Sequence, residues 1–129
     1  MRVVVKIGTS TATDNGRLSA PRLLDYAKVL ARLTTAGHEI AWVSSGAVAA
    51  GREALGILPG ERRVAAKQML SAIGQPRLMA LYSELFGYYD QRVAQVLLTR
   101  RDVELRRSYL NARQTFEQLF AHRVLPIIN

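Results

Sequence analysis

The sequence predicts an α/β fold built on a mostly parallel sheet, and three observations carry that expectation. A short β-branched run, Val3-Val4-Val5, leads into Lys6-Ile7-Gly8. Leucines and alanines then recur at helical spacing over residues 20–36. A second apolar run, His38 to Ser44, follows directly. Strand, helix and strand at this spacing make a βαβ unit, whose crossover is right-handed.

The first run is short and wholly apolar. That reads as a strand buried on both faces, the kind at the centre of a parallel sheet. Lys6 is expected at its carboxyl end, with Gly8 opening a turn and Thr9, Ser10 and Thr11 adding hydroxyls. Ligands of open α/β sheets bind just outside the carboxyl ends of strands. A lysine beside free backbone N–H groups there suits phosphate, and a lysine that merely meets water fits equally well. The spacing is not that of a Walker A loop.

Asp14-Asn15-Gly16 is a turn signal. Ser19 is placed to cap a helix with Pro21 in its first turn, and Gly37 suits the position that ends it. Leu23, Ala27, Leu30 and Leu33/Thr34 follow at helical spacing, and the leucine stripe packs this helix on the sheet. After the second strand, Ser44-Ser45-Gly46 opens a run of small residues, Ala47-Val48-Ala49-Ala50-Gly51. Small residues at a helix start allow close approach, either of an anionic ligand or of a neighbouring backbone.

A loop is expected over Gly56 to Gly60, and a helical pattern over 61–89. Leu78, Leu81/Tyr82, Leu85 and Tyr89 form its apolar stripe. Gly74-Gln75-Pro76 predicts a kink or a break there. Arg92 to Leu98 reads as a third strand, and Thr99-x-x-Asp102 as a variant capping box. A helical pattern through Leu105, Tyr109, Ala112, Phe116 and Leu119/Phe120 allows a break near Ser108. Arg123 to Ile128 is a fourth strand, in which Pro126 predicts either an edge position or a free N–H side.

Bulk properties narrow the function classes. With 129 residues, the chain suits one ordinary domain. No apolar run reaches the roughly 20 residues that span a bilayer. No signal-peptide pattern opens the chain, and there are no cysteines, which suits the cytoplasm and excludes thiol metal sites. The net charge of +8 favours anionic partners. Its arginines are scattered in pairs, which reads as a solvated surface, so a nucleic-acid-binding module is a minor alternative.

Five segments in order carry a resemblance. They are Val4-Val5-Lys6-Ile7-Gly8-Thr9-Ser10, Val43 to Gly51, Lys67 to Gln75, Leu97-Leu98-Thr99-Arg100 and Leu110-Asn111-Ala112-Arg113. Together they resemble the N-terminal half of the glutamate 5-kinases, within the amino acid kinase family. The first segment alone would indicate only the wider superfamily. The resemblance implies a three-layer αβα sandwich of which residues 1–129 form the amino-acid-substrate and phosphate-binding half, cut after about half of the family domain. It implies transfer of the ATP γ-phosphoryl group to the γ-carboxylate of L-glutamate, on the route to proline. Lys6 would contact the transferring phosphoryl group. Gly8, Thr9 and Ser10 would serve the phosphates. Ser45, Gly46 and Asn129 would serve the amino acid. No residue of this chain is assigned to a metal, and Mg²⁺ would enter with ATP.

In the family, the strand ending at Asn129 continues into Glu-Asn-Asp, and the adenosine pocket, further acidic residues and a second lysine lie beyond it. Asn129 is therefore expected to dangle. Three expectations follow from the resemblance: no turnover by this chain alone, completion by a separate C-terminal half, and association with itself or with a glutamyl phosphate reductase. The alternative is a catalytically inactive domain acting only in self-association or as half of a split enzyme. Exposed sheet edges also predict oligomers.

Overall fold

The computed structural model describes residues 1–57 and 63–129. Strand β1 (Arg2–Lys6) passes through Gly8 into a one-turn helix, α1 (Thr9–Ala12). A hairpin of β2 (Thr13–Asp14) and β3 (Arg17–Leu18) follows. Its turn residues Asn15 and Gly16 have φ of 51° and 77°, the pair of positive values that a two-residue type I′ turn requires. Next come α2 (Ala20–Thr35), β4 (Glu39–Val43), α3 (Ala47–Leu55) and α4 (Val64–Gly87). The described chain ends with β5 (Val93–Val96), α5 (Arg100–Glu104), α6 (Arg106–Ala121) and β6 (Leu125–Ile128).

The main sheet has the order β1-β4-β6-β5, and every pairing in it is parallel. Helices α2 and α4 pack together on one face, and α5 and α6 lie over the other. This is the three-layer αβα arrangement expected. The core lies on the α2/α4 face, where Leu23, Ala27 and Leu30 of α2 meet Ile40 and Trp42 of β4 and Leu78, Tyr82, Leu85 and Phe86 of α4. Trp42 packs edge-on against Phe86, with centroids 5.6 Å apart, and tilted against Tyr82 at 5.5 Å. Such geometries place the positive ring edge of one aromatic on the negative face of another.

β1 corrects an expectation. It is an outer strand of the sheet, and only Val3 and Val5 pack against the core. Val4, on the opposite face, is 66 % exposed and lines an apolar cavity of about 310 Å³ between the sheet and α6. No residue of α6 is fully buried, so that layer does not close over β1. Arg2 ties the two together instead. It bonds Glu39 and Glu117 and lies over the ring of Phe120.

Pro126 sits in a central strand, not at an edge, because its missing N–H falls where no pairing needs it. The Ile128 carbonyl accepts from Ser44 N–H, so the even positions of β6 face β4. Pairing between β4 and β6 begins only at Trp42 with Ile127. Pro126 thus turns its nitrogen toward β4 just below that point.

Of the kink or break expected at Gly74-Gln75-Pro76, the break does not occur: α4 is one helix that contains Pro76. Pro76 removes the bond its N–H would give to the Ala72 carbonyl, and tertiary packing carries the helix through. The break expected near Ser108 lies at Leu105, whose extended φ/ψ of −87°/119° separates α5 from α6. Ser19 occupies the N-cap of α2 without a side-chain cap bond. Gly37 ends α2 with φ of 89°, and its N–H and that of His38 return to Thr34 and Leu33 carbonyls. The capping box of α5 is present, with the Asp102 carboxylate accepting from the Thr99 N–H and hydroxyl. Of the loop expected over Gly56 to Gly60, residues 58–60 lie outside the described residues, as do the first two helical positions expected at 61 and 62.

Candidate active site

Parallel pairing brings the carboxyl ends of β1, β4 and β6 to one edge. Lys6 pairs with Val43, and Val43 with Ile128. Two bonds extend the ladder past the strands. Ile7 N–H donates to Val43 O at 2.9 Å, and Ser44 N–H donates to Ile128 O at 2.8 Å. Lys6, Ser45 and Asn129 therefore leave three adjacent strands at the same end of the sheet. Lys6 is exposed, Ser45 is half-buried and Asn129 is exposed.

After β1, Gly8 caps α1 at φ −81° and ψ 163°, a conformation open to any residue. A Cβ on Gly8 would meet nothing within 4 Å. Neither backbone strain nor crowding within this chain calls for glycine there. The space before it is open, and the side chains of Thr9 and Ser10 border it in exposed positions.

Gly46 is different. It has φ of 121° at the N-cap of α3, and a Cβ there would stand 3.1 Å from Leu18 Cδ2. The positive φ alone favours glycine. The first amides of α3 have no partner within their own helix and point out of its N-terminus. The small residues that follow serve a neighbouring backbone. A Cβ on Gly51 would lie 2.0 Å from the Leu70 carbonyl oxygen, and one on Gly74 only 1.7 Å from that of Ala47. α3 and α4 cross in main-chain contact at these two glycines.

Three residues outside the predicted site set, Ser44, Tyr82 and Gln75, shape this corner. Ser44 Oγ lies 2.6 Å from the buried hydroxyl of Tyr82 and bonds the Ser45 carbonyl at 3.2 Å. Tyr82 thereby anchors the turn into α3 from α4. Burial pushes its phenol above the ordinary value, and the Ser44 bond opposes that. Gln75 accepts a hydrogen bond through Oε1 from Asn129 Nδ2, so Asn129 does not dangle as expected. Helical spacing assigns Tyr82 to a core stripe, which is also true. In the sequence Gln75 closes the Lys67 to Gln75 segment of the resemblance and sits in the interruption before Pro76, but neither signal gave it a role in the site.

Among the described residues, no three His, Asp or Glu side chains gather to hold a metal ion. The donors present at this edge, an ammonium, hydroxyls, amides and backbone N–H groups, suit an anion. No helix among the described residues is long and apolar enough to cross a membrane.

The model of the amino acid kinase family matches residues 1–129. A glutamate 5-kinase of Herpetosiphon aurantiacus is 53 % identical over 130 residues, covering all of this chain and 35 % of the relative. One from Deinococcus radiodurans is 52 % identical, covering all of this chain and 36 % of the relative. One from Escherichia coli O1:K1 is 44 % identical over 128 residues, covering 98 % of this chain and 35 % of the relative. The chain spans about a third of the length of these relatives. It belongs to the amino acid kinase family.

Proposed function

Proceeding from that membership, we propose that this chain carries the amino-acid and phosphate-binding part of an ATP-dependent kinase acting on the γ-carboxylate of L-glutamate. The observation that carries the reading is the shared edge: Lys6 ends β1, and Gly8, Ser45, Gly46 and Asn129 follow the carboxyl ends of adjacent parallel strands.

In the proposed reaction, a γ-carboxylate oxygen of glutamate attacks the terminal phosphorus of ATP. The bond from that phosphorus to the β–γ bridging oxygen breaks, releasing ADP and glutamyl 5-phosphate, the first intermediate toward proline. A carboxylate is already a nucleophile at neutral pH, so no general base is needed. Catalysis then rests on positioning and on neutralising charge spread over the phosphoryl oxygens. Lys6 supplies a cation for those oxygens. Gly8 leaves room for phosphate to reach its backbone, and Thr9 and Ser10 offer hydroxyls. Ser45, Asn129 and the Gly46 turn hold the amino acid. Mg²⁺ enters bound to ATP.

The relatives are about three times longer, and the isolated chain is therefore expected not to turn over. Hydroxylamine trapping of acyl phosphate, with ATP, Mg²⁺ and L-glutamate, tests this. The chain alone should give no product. Adding the remaining two-thirds of the Deinococcus relative should restore product, and Lys6→Ala should then lower kcat more than it raises KM. Turnover by the chain alone would refute the division of labour. An unchanged rate in Lys6→Ala would refute the role of Lys6.

The same reading places the chain in the cytoplasm, with self-association through α4 or an open sheet edge and with glutamyl phosphate reductase as a consumer of product. A sharply monomeric species in light scattering would count against self-association.

A further inference from the structure

The bond between Gln75 and Asn129 links two elements that the βαβ core leaves independent. Gln75 lies midway along α4, and Asn129 follows β6. Gln75 Oε1 accepts from Asn129 Nδ2. Gln75 Nε2 is buried and makes no hydrogen bond among the described residues. A buried amide donor without a protein partner is costly, and proteins keep such groups where something else requires the side chain.

The backbone beneath Gln75 is fixed on both sides. Gly74 abuts the carbonyl of Ala47 and the amide of Gly51, so it cannot slide along α3. Pro76 locks the next φ. A side chain on this foothold transmits the position of the α3 start to whatever it holds.

We propose that Gln75 is a positioning residue for the amino-acid subsite, fixing the Asn129 carboxamide beside the Ser45-Gly46 turn. The inference rests on the reading above, in which Asn129 contacts the amino acid. It also sharpens that reading. With Nδ2 committed to Gln75, Asn129 presents Oδ1, a hydrogen-bond acceptor. An acceptor suits the α-ammonium group of the amino acid and not its carboxylates.

The test uses the full ¹⁵N-labelled chain, titrated with L-glutamate and with glutarate, which lacks the ammonium group. The Ser45 and Gly46 amides and the Asn129 side-chain amide are followed by NMR. Without ligand, Gln75→Met should move the Asn129 side-chain amide to the position of a free carboxamide. Gln75→Glu, which keeps an acceptor oxygen, should restore it. Gln75→Met and Asn129→Ala should each weaken L-glutamate by about tenfold, and the double variant no further. Glutarate affinity should be the same in all of them.

Three outcomes overturn the proposal and leave the site standing: an Asn129 amide unmoved by Gln75→Met, wild-type L-glutamate affinity in that variant, or additive losses in the double variant. If L-glutamate shifts none of these amides in the unaltered chain, the site reading fails and takes the proposal with it.

Discussion

Replacing Gly74 by alanine sets two opposed effects on one residue. In an ordinary helix interior the change stabilises by about 1 kcal/mol, because alanine loses less backbone freedom on folding. Here the new Cβ would lie 1.7 Å from the Ala47 carbonyl oxygen, 2.5 Å from the Gly51 nitrogen and 2.8 Å from the Ala47 carbonyl carbon. All three are main-chain atoms, so no rotamer change relieves them. Restoring 3.0 Å, the shortest approach real Cβ atoms show, needs a retreat of about 1.3 Å between α3 and α4. Overpacking a core costs about 1–3 kcal/mol and more when backbone must move. A clash this deep outweighs the gain in helix propensity, leaving a net loss of about 2–3 kcal/mol. For a domain of this size that lowers Tm by roughly 6–15 °C. Gly87 is the internal control, since it belongs to the same helix and a Cβ there meets nothing within 4 Å. Gly87→Ala should be neutral or stabilising by up to about 1 kcal/mol. Thermal and urea unfolding followed by circular dichroism decide the matter. A Gly74→Ala variant as stable as the parent, or a Gly87→Ala variant equally damaged, would refute the backbone contact between α3 and α4.

Gly46→Ala should cost about 1–3 kcal/mol in urea unfolding, because φ of 121° is strained for any residue with a Cβ. Tyr82→Phe should cost about 1–2 kcal/mol by removing the buried bond to Ser44. It should also flatten the alkaline limb. The folded Tyr82 value is raised above 10.0, so its contribution is complete below that pH and is lost as pH rises further. At the acid end, Arg2 holds Glu117 below 4.5, and Thr99 holds Asp102 below 3.8. Both folded values are depressed, so their contribution is present above about pH 5 and disappears as pH falls through the folded values. Urea midpoints from pH 6 to pH 2.5 should show this, with Glu117→Gln shallower than the parent.

The βαβ frame was legible because its two periods differ and its boundaries carry turn residues. Parallel pairing follows from that frame, and with it the meeting of Lys6 and Ser45 at one edge. What could not be read depends on atoms distant in sequence. An apolar run states that a strand can be covered, not that it is, so Val3-Val4-Val5 suggested a central strand where β1 is an outer one. Gly51 and Gly74 each look like a weak point in a helix until the other is seen against it. The two-residue strands of the hairpin are too short to show a period. Leu105 breaks a helix without glycine or proline to announce it. Gln75 ends a segment of the resemblance that assigned it no role, and its bond to Asn129 is what draws it toward the site.

Pro126 leaves β4 and β6 laced together over a few residues at one end only. Hydrogen-bonded seams part first where stitches are missing, so amide exchange along this seam should be slowest at Ser44 and faster toward the end remote from Lys6 and Ser45. The hydrogen bonds of this seam are thus gathered beneath the loops, where three strands deliver their side chains.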